Sequence, residues 1–195
     1  MGVTMEFRSF ELQGVLEIVP RKIGDDRGYF SEIFRADRFT EHAGPIEFIQ
    51  DNQSLSLKAG TIRGIHFQSH PFAQGKLVRC LAGSVMDVAV DLRRDSSTYG
   101  RWVAVTLSAD ALNQLWIPAG FGHAFCTLEP SSVIGYSVTN YYSAANDLGV
   151  AWNDPDIMIE WPDVADPETL SPKDRNQPSL ADLPAYFTME EASCA

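Results

Sequence analysis

Val85-Met86-Asp87-Val88-Ala89-Val90-Asp91-Leu92 is a run rich in β-branched residues, and Val103, Val105 and Leu107 follow it in alternation with Ala104, Thr106 and Ser108. A period of two is the signature of a strand, and β-branched side chains favour the pleated surface. Ile134, Tyr136 and Val138 repeat the pattern further along the chain. Gly60, Gly83, Gly100, Gly120 and Gly135 punctuate these runs, and Pro118-Ala119-Gly120 reads as a turn. Many short strands at near-regular spacing predict an all-β sandwich or barrel.

Helical signals are fewer. Phe34 to His42 reads as a short helix that Gly44-Pro45 would stop. Ser171-Pro172-Lys173-Asp174-Arg175 has the form of an N-capped first turn, with proline where a helix tolerates it best. After Asp182 the chain is polar and without periodicity, which reads as a loose tail. A single domain over residues 1–187 with a loose tail over 188–195 is the expected organisation of these 195 residues.

The formal net charge is −11. A nucleic-acid surface needs a basic patch, so that class is disfavoured. A small anionic ligand stays open wherever cations cluster locally. Three cysteines, Cys80, Cys126 and Cys194, imply no disulfide framework and fit a reducing compartment. The N-terminus has no basic region followed by an apolar stretch, no run approaches a membrane span, and Glu6 stands where a myristoylation motif wants Ser or Thr. A soluble cytoplasmic protein is expected.

Within this acidic chain, Arg63-Gly64-Ile65-His66-Phe67-Gln68 and Gln74-Gly75-Lys76-Leu77-Val78-Arg79 gather a histidine, a lysine and two arginines. Histidine suits proton abstraction near neutrality, and fixed cations stabilise an oxyanion or hold phosphates. His66 is the leading candidate base, although a strand histidine can equally serve as a hydrogen-bonded core residue. Strict alternation puts His66 and Gln68 on one face and Arg63 on the other, unless a bulge at Gly64 realigns it. Lys76 should share a face with Val78 and Cys80. That is costly unless a partner or cavity accounts for it, or the lysine snorkels to water. Tyr136 is either core or a proton donor, His123 either caps the core or contacts a ligand, and Tyr141-Tyr142 could stack on a flat ring. A metal-dependent cupin needs His-x-His, a following Glu and a later His. The four histidines here (His42, His66, His70, His123) do not supply that set, so no metal is expected.

Taken together, Asp26-Arg27-Gly28-Tyr29-Phe30, Gln50-Asp51-Asn52, the His66 and Lys76 segments, Tyr99-Gly100-Arg101-Trp102, Gln114-Leu115-Trp116-Ile117-Pro118, Trp152-Asn153-Asp154-Pro155 and Leu170-Ser171-Pro172-Lys173-Asp174 resemble the dTDP-4-dehydrorhamnose 3,5-epimerase family. The resemblance covers about residues 27 to 175. It implies a jelly-roll, cupin-like double-stranded β-helix with short peripheral helices, working without metal or redox cofactor. It also implies roles. His66 matches the general base, Asp174 the carboxylate that orients it, Tyr136 the acid on the opposite face of the sugar, and Lys76 the cation near the enolate. Arg27, Arg63 and His123 match substrate and diphosphate contacts, Glu32 and Gln50, Asp51 and Asn52 nucleotide and sugar contacts, Tyr142 the ring stacked on thymine, and Lys173 a further anion contact.

Asp147 stands where the family usually has Glu, Ala124 where Gly is usual, and Ser137 where a longer polar residue is frequent. Relatives of this kind are homodimers whose N-terminal strands cross to the partner, so Arg27 and Glu32 would complete the other protomer's site. The implied reaction is epimerisation of dTDP-4-keto-6-deoxy-D-glucose at C3 and C5 by enolisation. A C3-only or C5-only epimerase and a non-catalytic sugar-nucleotide-binding jelly roll are the alternatives.

Overall fold

A strand that is apolar on both sides needs cover on both sides, and the run around Val88 has it. It forms β8 (Ser84–Asp91), buried along almost its whole length. The computed structural model describes residues 5–192. Before β8 come β1 (Glu6–Ser9), β2 (Leu16–Val19), β3 (Lys22–Asp25), β4 (Gly28–Ser31), helix α1 (Ala36–Ala43), β5 (Gln50–Ser56), β6 (Ile62–Gln68) and β7 (Lys76–Ala82). After it come β9 (Trp102–Ser108), β10 (Gln114–Ile117), β11 (Phe121–Thr127), β12 (Ser132–Val138), β13 (Asp147–Gly149) and the short α2 (Met189–Ala192).

The strands make two facing antiparallel sheets, ordered β1-β2-β10-β7-β12-β5 and β13-β6-β11-β8-β9, with β3 and β4 as a separate hairpin. This is the expected jelly roll. Alternation sorts the side chains. Val78, Cys80, Val85, Ala89, Leu107, Leu115, Phe121, Phe125 and Ile134 fill the space between the sheets. On the outer face of the five-stranded sheet, Ile65, Phe67, Val88, Val90 and Ala124 pack against Leu180, Leu183 and Phe187. On the outer face of the six-stranded sheet, Leu77 and Trp116 pack against Phe39 of α1.

Two local expectations need correction. The helix begins at Ala36, two residues after Phe34, because Arg35 is extended with φ −148°; it ends where foreseen, at Gly44, whose φ of +86° suits glycine. The chain after Asp182 is not loose as far as Phe187. Leu183 and Phe187 are 6% and 1% exposed, and the Phe187 carbonyl accepts the Arg94 N–H at 2.9 Å. Their apolar side chains fall at irregular intervals in a coil, so no periodicity announces them. Cys194 lies outside the described residues, while Cys80 and Cys126 are free and buried. No helix among the described residues is long and apolar enough to cross a membrane.

The feature that builds the site is a bulge in β6. His123 of β11 is opposite His66, but Phe125 is opposite Arg63, so three residue steps on β6 match two on β11. The extra residue falls at Gly64-Ile65. It sends Ile65 and Phe67 to the outer core and turns both Arg63 and His66 to the interior. Gly64 has φ +117°, and a β-carbon there would sit 2.6 Å from Ala124 Cα and from the His123 carbonyl oxygen. Gly64→Ala therefore meets both an unfavourable backbone region and a backbone clash. It should lower unfolding stability by about 2–4 kcal/mol, read from the midpoint and slope of urea denaturation. A loss below about 1 kcal/mol would mean that the bulge relaxes freely.

Candidate active site

β6 presents His66 to the interior with its side chain 31% exposed, and the side chain of its partner Asp174 is 4% exposed. His66 Nε2 donates to Asp174 Oδ1 at 2.5 Å. With Nε2 committed to a carboxylate, Nδ1 is the imidazole nitrogen left to take a proton. Asp174 opens a 3₁₀ turn (Asp174–Asn176), its own N–H donating to Ser171 Oγ at 3.1 Å. This is the capped turn read from Ser171-Pro172. Burial pushes the Asp174 carboxyl up, but the hydrogen bond and charge of His66 outweigh it, and the carboxyl lies below its ordinary value. The dyad is thus an imidazole held by an ionised carboxylate.

Tyr136 projects from β12, on the sheet facing β6, and packs against the inner core. Burial raises its phenol above the ordinary value, Arg63 opposes that shift, and Asp147 adds to it. The proton is therefore held firmly at neutral pH, as a donor's must be. Lys76 starts β7 and shares the interior face with Val78 and Cys80, as alternation required. Burial pushes its ammonium down to about 8, against the pull of Asp147 and Asp87.

The remaining candidates divide. Arg63 is tethered across to β5, its Nε donating to Ser56 Oγ at 3.2 Å and a terminal nitrogen to the Leu55 carbonyl at 3.1 Å. Gln50 and Asn52 point to the interior side of β5 and bond each other at 2.8 Å; Gln50 Oε1 also accepts the Tyr142 N–H. Lys173 Nζ lies 2.5 Å from Asp147 Oδ2, which the Tyr142 hydroxyl also approaches at 3.3 Å. Tyr142 itself is 61% exposed, a free aromatic face at the rim.

Three placements sharpen the sequence reading. The side chain of Asp51 leaves the site side: it alternates away from Gln50 and Asn52 and accepts from Ser137 Oγ at 2.5 Å. Ser137 for the same reason faces out, and Ala124 faces the outer core at 0% exposure. Neither departure therefore touches the His66 side. Arg27, on the β3–β4 hairpin, bonds only Asp25 among the described residues, with its side chain 90% exposed, and Glu32 follows directly after that hairpin.

One residue went unread, Asp87. It is fully buried, and its Oδ1 accepts Nε2–H of His123, itself 7% exposed, at 2.8 Å. Its signal was an acid in the inward register of an apolar strand, between Val85 and Ala89.

A family model described as dTDP-4-dehydrorhamnose 3,5-epimerase matches residues 9–182. The chain belongs to this family. It is therefore an isomerase of the carbohydrate-epimerase type, and the jelly-roll expectation holds. A curated dTDP-4-dehydrorhamnose 3,5-epimerase of Sinorhizobium fredii is 52% identical over 94% of this chain and 93% of its own. The crystal structure of a Legionella pneumophila dTDP-6-deoxy-D-glucose-3,5-epimerase in complex with dTDP-4-keto-L-rhamnose is 40% identical, with a TM-score of 0.87 over 93% of this chain and 96% of that one. A dTDP-4-dehydrorhamnose 3-epimerase of Streptomyces niveus is 37% identical over 95% of this chain and 92% of its own.

Proposed function

We propose that this epimerase inverts C3 and C5 of dTDP-4-keto-6-deoxy-D-glucose, giving dTDP-4-keto-L-rhamnose. The 4-keto group acidifies the protons on both neighbouring carbons. His66 Nδ1 removes one, the Lys76 ammonium stabilises the enolate oxygen, and Tyr136 on the facing sheet returns a proton to the opposite face. His123 and Arg63 contact the substrate and its diphosphate, Gln50 and Asn52 the nucleotide and sugar, and Tyr142 stacks on thymine with Lys173 and Asp147 beside it. The observation that carries this reading is the 2.5 Å His66–Asp174 bond, which fixes one imidazole tautomer on the sheet facing the half-buried Tyr136. Incubation with this sugar nucleotide should yield a product whose proton NMR couplings are those of the L-rhamno ring. Recovery of the starting ring, or of a product inverted at one carbon, contradicts the proposal.

The working unit in this reading is a cytoplasmic homodimer. Arg27 meets only the neighbouring Asp25 among the described residues of its own chain, and the hairpin that bears it exposes Ile23, Tyr29 and Phe30 at 47%, 55% and 66%. A swapped hairpin would bury these and place Arg27 and Glu32 in the partner's site. Mixing makes this testable. Arg27→Ala and His66→Ala homodimers should each be nearly inactive. After subunit exchange, a heterodimer has one intact site, so an equimolar mixture should recover about a quarter of wild-type activity. No recovery, or a monomer by light scattering at micromolar concentration, contradicts the exchange.

A further inference from the structure

Asp87 stands on the interior face of β8 between Val85 and Ala89, with no exposed surface. A carboxyl group so placed is costly unless partnered. Its Oδ1 accepts from His123, but its Oδ2 is equally buried and has no hydrogen-bond partner among the described residues. Across the interior, on β7 of the facing sheet, the Lys76 ammonium forms no hydrogen bond or ion pair among the described residues. The charges that reach Lys76 are those of Asp147, Asp87 and Lys173, and His66, His123, Arg63 and Tyr136 share its interior. Of the two carboxylates, Asp147 exerts the larger pull on Lys76, but it is engaged by Lys173 at 2.5 Å and its side chain is 24% exposed to water. Asp87 is the one with a fully buried oxygen that has no hydrogen-bond partner among the described residues.

We propose that Asp87 is a positioning residue for epimerisation: its carboxylate is the buried counter-charge that keeps Lys76 cationic for the developing enolate, while its other oxygen locks His123. This rests on the enolisation reading given above. Burial disfavours the ammonium, and a lysine that loses its proton can no longer stabilise the enolate electrostatically. An anion in the same dry interior opposes that loss. The His123 bond adds a second function. With Nε2 held by Asp87, only Nδ1 of that imidazole can meet substrate, so Asp87 also decides which atom does so.

Asp87→Asn separates charge from shape, because the amide oxygen can still accept from His123. The basic limb of the kcat–pH profile should move down by about one unit or more, and kcat should fall by about 10²-fold with little change in KM. Asp87→Glu, which keeps the charge, should hold the basic limb at its wild-type position even if it slows the reaction. An Asn variant whose basic limb coincides with that of wild type overturns the proposal. Should neither variant fold, carbon-13 NMR of aspartate-labelled wild type decides. Asp87 must be ionised across the active pH range, and a neutral carboxyl overturns the proposal. NMR titration of the Lys76 amine in substrate-free wild type and Asp87→Asn is independent of turnover. If the titration moves while wild-type protein leaves the sugar unchanged, the counter-charge stands and the substrate assignment fails. An unmoved titration in an active enzyme does the reverse.

Discussion

His66→Ala should abolish proton exchange at both C3 and C5 of the keto-sugar. The barrel offers one base in the right state: an imidazole whose Nε2 is held by the ionised Asp174 and whose Nδ1 is open. The other interior imidazole, His123, makes the same kind of Nε2–carboxylate bond, to Asp87, but at 7% exposure it is far less open than His66, whose side chain is 31% exposed. A positioned base contributes about 10²–10⁴-fold, so the loss should be at least that large at each carbon. Asp174→Asn should cost less than removing the ring but act in the same direction, because the amide can present its NH₂ to Nε2 and favour the wrong tautomer. Deuterium incorporation measured separately at C3 and C5 checks both variants. Exchange at one carbon persisting at near wild-type rate in His66→Ala would reveal a second base.

Tyr136→Phe should give a different phenotype. It keeps the ring against Ile134 and the inner core but removes the donor. Proton removal by His66 continues, and the enolate is then reprotonated from His66's own face or by water. The expected product is starting sugar that has gained deuterium with its configuration retained, while net inversion falls by about 10²-fold or more. Each decade lost corresponds to about 1.4 kcal/mol of transition-state stabilisation. Near-normal inversion would make Tyr136 a packing residue and assign the proton to another group. The two variants together separate the two faces of the sugar: one stops exchange, the other stops inversion.

Much of this site is legible in the sequence because it sits on strands. Period-two alternation placed Lys76 with Val78 and Cys80, and Tyr136 with Ile134, on interior faces. The Ser171-Pro172 turn marked the place where Asp174 is presented. Alternation alone failed at Arg63 and His66, where one extra residue at Gly64-Ile65 turns both side chains inward. A glycine in a strand allows such a bulge but does not declare it. The segment Gln50-Asp51-Asn52 was read as a block, yet a strand divides it, and Asp51 goes to the other side with Ser137. Asp87 was visible as an acid among valines, but its meaning depends on His123, 36 residues away in the chain. Leu183 and Phe187 were missed because a coil that covers a sheet has no period to detect.

The most direct test of the central claim is incubation of the wild-type protein with dTDP-4-keto-6-deoxy-D-glucose in deuterium oxide, with deuterium read separately at C3 and C5. Enolisation by His66 with reprotonation by Tyr136 predicts deuterium at both carbons of the inverted product. Product or recovered sugar without deuterium at either carbon would contradict it.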